Sequence, residues 1–259
     1  METEAANGSM QPNEAIKPRS FFSRLGGVYT SPGEAFKEIG RSPGVFIPII
    51  VLVLISVLAA YYLTLKIDLS ALGAAQLESM VEQGRLTKEQ MEQQMAVMSK
   101  FAGIQVIVVG AIGNLLIALA IAGVFKLISS FISAENRFKA LFAVTLYSLI
   151  AVYIVQSVAM VLVLSFKNPA DITATGMSSI LASNLGALLS SVLGEDALPK
   201  FLMRLLSFVD IFAIWIIALL SIGYAAVSRK LKTSTVATWL VVLYGVIAVI
   251  SAGLSSLIS

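Results

Sequence analysis

Asp210 stands two residues inside the edge of the apolar run "FVDIFAIWIIALLSIGYAAVSRKLK", which extends from Phe208 to Lys232. A carboxylate facing hydrocarbon is costly, so it reacts, binds something or caps a structural joint. Tyr153 and Gln156 in the outer half of a third apolar segment, Gln105 at the start of a second and Tyr61 near the end of a first lie at a similar depth. Buried polar groups need partners. One expectation is therefore an intramembrane polar cluster of Asp210, Gln156, Gln105, Tyr153 and Tyr61. The other is that Asp210 snorkels to the interface in the first turn of its own helix, where the helix dipole favours negative charge.

Catalysis is a poorer use for these groups. The chain contains no His and no Cys, which removes imidazole bases, thiol nucleophiles, disulfides and most zinc or haem ligand sets. Paired-aspartate chemistry needs two carboxylates, and only Asp210 falls in a span. A serine nucleophile would need a lysine base, and Lys126 lies at the opposite membrane face. Met91, Met95 and Met98 share one helical face; soft thioethers suit Cu(I), but without Cys or His beside them packing is the expected role. No enzyme activity, catalytic residue, metal or cofactor is expected.

The elements that must position these residues are membrane spans. Of 259 residues, 58% are hydrophobic and 13% charged, against about 25% charged in soluble domains. A helix crossing a hydrocarbon core of about 30 Å needs roughly 20 apolar residues. Five segments meet that length, at about 45–65, 102–125, 140–164, 208–227 and 236–258. The expected fold is an all-α integral membrane protein: a five-transmembrane-helix bundle with an extracytoplasmic helical hairpin and short interfacial helices. Gly110, Asn114 and Ala118 on the second span, with Ala248 and Ala252 on the fifth, form small-residue stripes suited to close helix packing.

Lysine and arginine cluster before the first span, between the second and third, and in "RKLKTST" between the fourth and fifth. The positive-inside rule then puts the N-terminus in the cytoplasm and the C-terminus outside. No cleavable signal is expected: residues 1–20 read as a disordered cytoplasmic tail. Residues 21–44 read as a cytoplasmic amphipathic interfacial segment, in which Ser31-Pro32-Gly33-Glu34 predicts a capping box and a helix over 32–39. Phe21, Phe22, Arg24, Phe36 and Lys37 supply either its membrane anchor or a docking face. Residues 45–259 form the membrane domain. The loop 66–101 predicts a helical hairpin turning at Gly84, its second helix opened by a Thr87–Gln90 capping box and running into the second span. Residues 180–192 predict an interfacial or re-entrant helix.

Together "TSPGEAFKEI", the acidic, Met-rich hairpin 77–100, "LYS" at 146–148 and "DIFAIWIIALLSIGYAAVSRKLKTSTVATW" resemble the bacterial branch of the Yip (Ypt/Rab-interacting protein) domain family. The resemblance spans nearly the whole chain from Phe21. It implies a five-span protein with a cytosolic N-terminus, a scaffold that organises membrane or recruits partners. Eukaryotic members resemble Rab-GTPase partners; their Asp-Leu-Tyr-Gly-Pro motif is replaced here by "VYTSPGEAF", and Ala151 stands where proline is common, so Rab binding is not implied. The expected partners are the lipid bilayer, proteins at the cytoplasmic face and a second copy of the chain, but no nucleic acid. The expected location is a bacterial inner membrane. A solute or ion pathway between subunits is the competing reading.

Overall fold

A computed structural model describes residues 19–131, 136–167, 180–194, 197–228 and 230–258. Residues 1–18 of the expected tail and Arg229 of the basic loop lie outside them. The described residues form ten α-helices: α1 Phe21–Thr30, α2 Pro32–Arg41, α3 Phe46–Lys66, α4 Leu69–Glu82, α5 Lys88–Phe131, α6 Phe138–Phe166, α7 Leu185–Leu193, α8 Lys200–Ser207, α9 Ile211–Val227 and α10 Thr233–Ile258. Four stretches are long and apolar enough to cross a membrane: Phe46–Lys66, Lys100–Phe131, Phe138–Phe166 and Thr233–Ser255. Helix α9, with 17 residues, is shorter.

The first half of α6 is the axis of the bundle. Every residue from Ala140 to Val152 is buried, on all sides of the helix. Helices α1, α2, α3, α5 and α9 pack around it. Its second half and the outer faces of α3, α5 and α10 carry exposed Leu, Ile, Val and Phe, a surface that hydrocarbon solvates. Between helices already in lipid, association rests on van der Waals packing and polar bonds, and both occur. Thr145 and Tyr224 share a hydrogen bond of 2.6 Å in the buried core. Tyr224 also stacks on Phe125 with ring centroids 4.1 Å apart.

The segment 66–101 is a helical hairpin as its turn signals predict. Helix α4 ends in a Schellman arrangement: the Arg85 N–H donates to the Met80 carbonyl and the Gly84 N–H to the Val81 carbonyl, both at 2.9 Å. Gly84 takes the left-handed conformation with φ +68°. The capping box then forms reciprocally, Thr87 N–H to Gln90 Oε1 at 2.9 Å and Gln90 N–H to Thr87 Oγ1 at 3.2 Å. Helix α5 continues for 44 residues, roughly 66 Å at 1.5 Å per residue, so its first turns project beyond any bilayer core. Met98 packs on Gly73 of α4, where a Cβ would collide with it, while Met95 on the same face is exposed.

The amphipathic segment packs on the bundle: α1 and α2 form a tight hairpin wedged against α6 and α9, and they share one core with the apolar helices. The Ser31 side chain makes no cap bond, and the helix it opens runs on to Arg41. Instead Glu34 accepts from Lys37 Nζ at 2.8 Å, an exposed pair that holds the Glu34 carboxyl below the usual carboxylate range. The apolar face of α2 inserts into the bundle: Phe36 is 0% exposed and rests on Gly223 of α9, where a Cβ would lie 3.1 Å from the Phe36 ring and clash with Val144. At the tip, the Tyr29 hydroxyl donates to the Ala151 carbonyl at 2.6 Å and its ring lies 6.2 Å from Trp215. That places the tip roughly 18 Å along α9 from Val227.

Gly223→Leu is expected to destabilise the folded protein by about 1–3 kcal/mol through overpacking, whereas Gly26→Ala, with open space at its Cβ, should be neutral or slightly stabilising. Thermal melting of the detergent-solubilised variants followed by size-exclusion chromatography separates the two.

Candidate functional site

Three polar constellations stand out, and each binds elements that are distant in sequence. The first locks the α1–α2 hairpin. Glu38 accepts from the Arg19 backbone N–H at 3.0 Å and from Arg24 Nε at 3.2 Å, and it also pairs with Arg19 Nε at 3.4 Å. Arg24, 6% exposed, reaches on to donate from Nη1 to the Ser42 carbonyl at 2.9 Å. It thereby caps α2 and ties the hairpin to the chain entering α3. This corrects the expected docking face. Phe21, Arg24 and Phe36 are buried within the chain and unavailable to a partner, because a hairpin folding onto α6 hides its own apolar side. Phe22, 78% exposed, and Lys37 remain outside.

The second constellation answers the question posed by Asp210. The helix starts at Ile211, so Asp210 is its N-cap and not a member of the apolar helix. Its Oδ1 accepts from the Phe212 and Ala213 N–H groups at 2.8 and 3.1 Å, and its Oδ2 accepts from the Ser183 hydroxyl. Residues 183–185 and 209–211 pair as a short antiparallel bridge, with the Leu185 N–H on the Val209 carbonyl at 2.9 Å and the Ile211 N–H on the Ser183 carbonyl at 3.1 Å. Asn184, bridged to Asp210, caps α7 through the Ala187 N–H at 2.8 Å. Two helix N-termini are thus capped side by side. The predicted helix over 180–192 is shorter than expected, starting at Leu185, because this bridge occupies the residues before it. Tyr244 of α10 closes the joint by donating to the Phe208 carbonyl at 2.9 Å.

The third constellation lies between α3, α5 and α6. Asn114 Nδ2 donates to Ser56 Oγ at 2.8 Å, and the Tyr153 hydroxyl points at Asn114 Oδ1 from 3.5 Å. With Gln156 and Ser157 they line a cavity of about 310 Å³. The five-residue cluster expected around Asp210 therefore does not form as one network. Tyr153 and Gln156 come together, but with Ser56 and Asn114. Gln105 borders a separate groove with Gln90 and Gln94, and Tyr61 is exposed. Ser56 and Ser157 escaped sequence reading because small hydroxyls in spans usually bond their own helix backbone, as Ser56 does to the Leu52 carbonyl at 2.8 Å. Of the packing stripe, Gly110 faces Ala60 of α3, and Ala118, Ala248 and Ala252 are buried.

A multi-pass membrane protein built on several apolar helices, bound by internal polar joints, is the class this arrangement defines. The chain matches the Yip1 domain over residues 26–255 and belongs to that family. The match includes most of the α1–α2 hairpin, in keeping with a core shared between hairpin and spans. No curated protein and no solved structure matches the chain.

Asp210→Ala is expected to cost about 1–2 kcal/mol of folded stability, the range for an N-cap, while Asp210→Asn, still able to accept from the helix N–H groups, should keep most of it. Thermal melts in detergent give the comparison; equal melting of all three proteins would remove the cap from the account.

Proposed function

We propose that this Yip1-domain protein is a non-enzymatic, five-span scaffold of the bacterial inner membrane that organises membrane or recruits protein partners through a cytoplasmic basic end. The Yip1 family is not known as an enzyme family. Helix α9 serves as the fifth span: 17 residues reach about 25 Å, at the short end of the spanning range, and the capped Asp210 joint ends it without loose backbone. The helix directions then gather Arg41, Lys126, Arg137, Lys139, Lys230 and Lys232 at one end of the bundle, while residues 66–100 project from the other. By the positive-inside rule the former is cytoplasmic and the hairpin α4–α5 is outside.

The observation that carries the partner-recruiting role is the locked hairpin. Glu38 and Arg24 tie α1 to α2 and to the chain entering α3, yet an aromatic side chain on that hairpin, Phe22, stays 78% exposed. An ordered, exposed aromatic is the sort of anchor that interfaces use.

Because the chain has no cysteine, single cysteines report topology cleanly. Arg85→Cys should react with a membrane-impermeant maleimide in intact cells, and Lys230→Cys only after lysis; labelling of both from outside would reject the orientation. A photo-crosslinking residue at position 22 should capture a discrete protein partner, and Phe22→Ala should abolish co-purification of that partner without lowering the melting temperature. Crosslinks confined to the 66–100 hairpin would put the working face at the wrong end.

A further inference from the structure

The cavity between α3, α5 and α6 contains a polar group without a polar partner. Gln156 makes no hydrogen bond with any described residue, and neither does Ser157, although both line the cavity wall. Asn114 and Tyr153 retain hydrogen-bonding capacity beyond the contacts already given. An amide left unpaired within a span is expensive, since hydrocarbon offers it nothing. A volume of about 310 Å³ falls at the lower end of small-molecule sites.

Three features define what fits. No lining residue is charged, so a phosphate or carboxylate would meet no counter-charge. Ser56 lies roughly 15 Å along α3 from Phe46, near the middle of a hydrocarbon core of about 30 Å, where a charged headgroup is strongly disfavoured. The α3 and α6 side chains flanking the cavity, Leu54, Leu58, Val155 and Val158, are exposed, so its surroundings are lipid-facing, while Met160 and Leu181 supply an apolar wall.

We infer that this cavity binds the uncharged hydroxyl and ester region of a neutral glycerolipid, of which diacylglycerol is the simplest member. Gln156 and Asn114 donate to the ester carbonyls, Tyr153 and Ser157 exchange hydrogen bonds with the free hydroxyl, and the acyl chains lie along the apolar side. A phospholipid keeps its charged headgroup at the interface; only a neutral one brings hydrogen-bonding groups to this depth.

The test uses the full chain in phosphatidylcholine nanodiscs with a diacylglycerol carrying a diazirine close to its glycerol backbone, and peptide mapping after irradiation. Labelling is expected on the peptides containing Ser56 and Gln156. It should fall about fivefold in Gln156→Leu, the size of one hydrogen bond, with melting temperature unchanged or raised because an unpaired amide has gone. Ser157→Ala, a smaller change on the same wall, should lower labelling in the same direction. Millimolar glycerol should not compete; if it does, a water-borne polyol is the ligand and the lipid source is wrong. Labelling spread over the outer faces and indifferent to both substitutions overturns the site. So does conversion of a dimer to a monomer by Gln156→Leu, which would mean that a second copy fills the cavity.

Discussion

Hydrocarbon offers neither hydrogen bonds nor a reason for one apolar helix to leave lipid for another, and every joint in this molecule answers to that constraint. Where helices meet, small residues bring backbones close: Gly223 seats Phe36 and Val144, and Gly110 faces Ala60. Two polar contacts within the bundle join helices that sequence keeps far apart, Asn114 to Ser56 and Thr145 to Tyr224. The hairpin α1–α2 carries five charged residues, Arg24, Glu34, Lys37, Glu38 and Arg41, while its apolar face, with Phe36 and Ile39 at 0% exposed, is buried in the core it shares with the apolar helices.

Docking in turn creates the demand that Arg24 and Glu38 meet. Pressing α1 against α2 buries a guanidinium, and a buried charge without a partner would cost several kcal/mol. Glu38 neutralises it and the Ser42 carbonyl takes a further N–H, while Nη2 stays buried without a partner among the described residues. The bond to Ser42 has a mechanical consequence. It anchors the few residues between α2 and α3, so the hairpin and the first span move as one body. A hairpin held only by apolar contact could slide along α9; one pinned through Ser42 presents Phe22 and Lys37 in a fixed place.

What could be read from the sequence follows from how local each cause is. The spans at 46–66, 100–131, 138–166 and 233–255 are legible because apolar length is itself the cause. The Gly84 turn and the Thr87–Gln90 box are legible because all their atoms lie within a few residues. Asp210 is half legible. Its cap bonds are local, but Ser183 is 27 residues away, and nothing before the helix announces that two segments will pair there. The docking of residues 21–41 is illegible for another reason. An amphipathic face states that something apolar covers it, and lipid and protein look alike from that side. Capping at Ser31 shows the reverse error, a local signal present in sequence that the geometry declines, its Glu34 turned to Lys37 instead.

The same constraint separates structural polar groups from those with work left to do. Asp210, the most conspicuous residue in the sequence, has both carboxylate oxygens occupied by partners in its own chain, and nothing about it asks for a ligand. Gln156 is far less conspicuous, a half-buried neutral amide, yet it lines the cavity with no hydrogen bond to a described residue. A chain under selection only for stability would gain by replacing such an amide with leucine, since an apolar substitute avoids the penalty of an unmet donor and acceptor. Local rules broken without compensation inside the fold are expected where function imposes a cost. Asp210 is therefore a joint, its carboxylate met within the chain, and Gln156 belongs to a cavity wall that a ligand can reach.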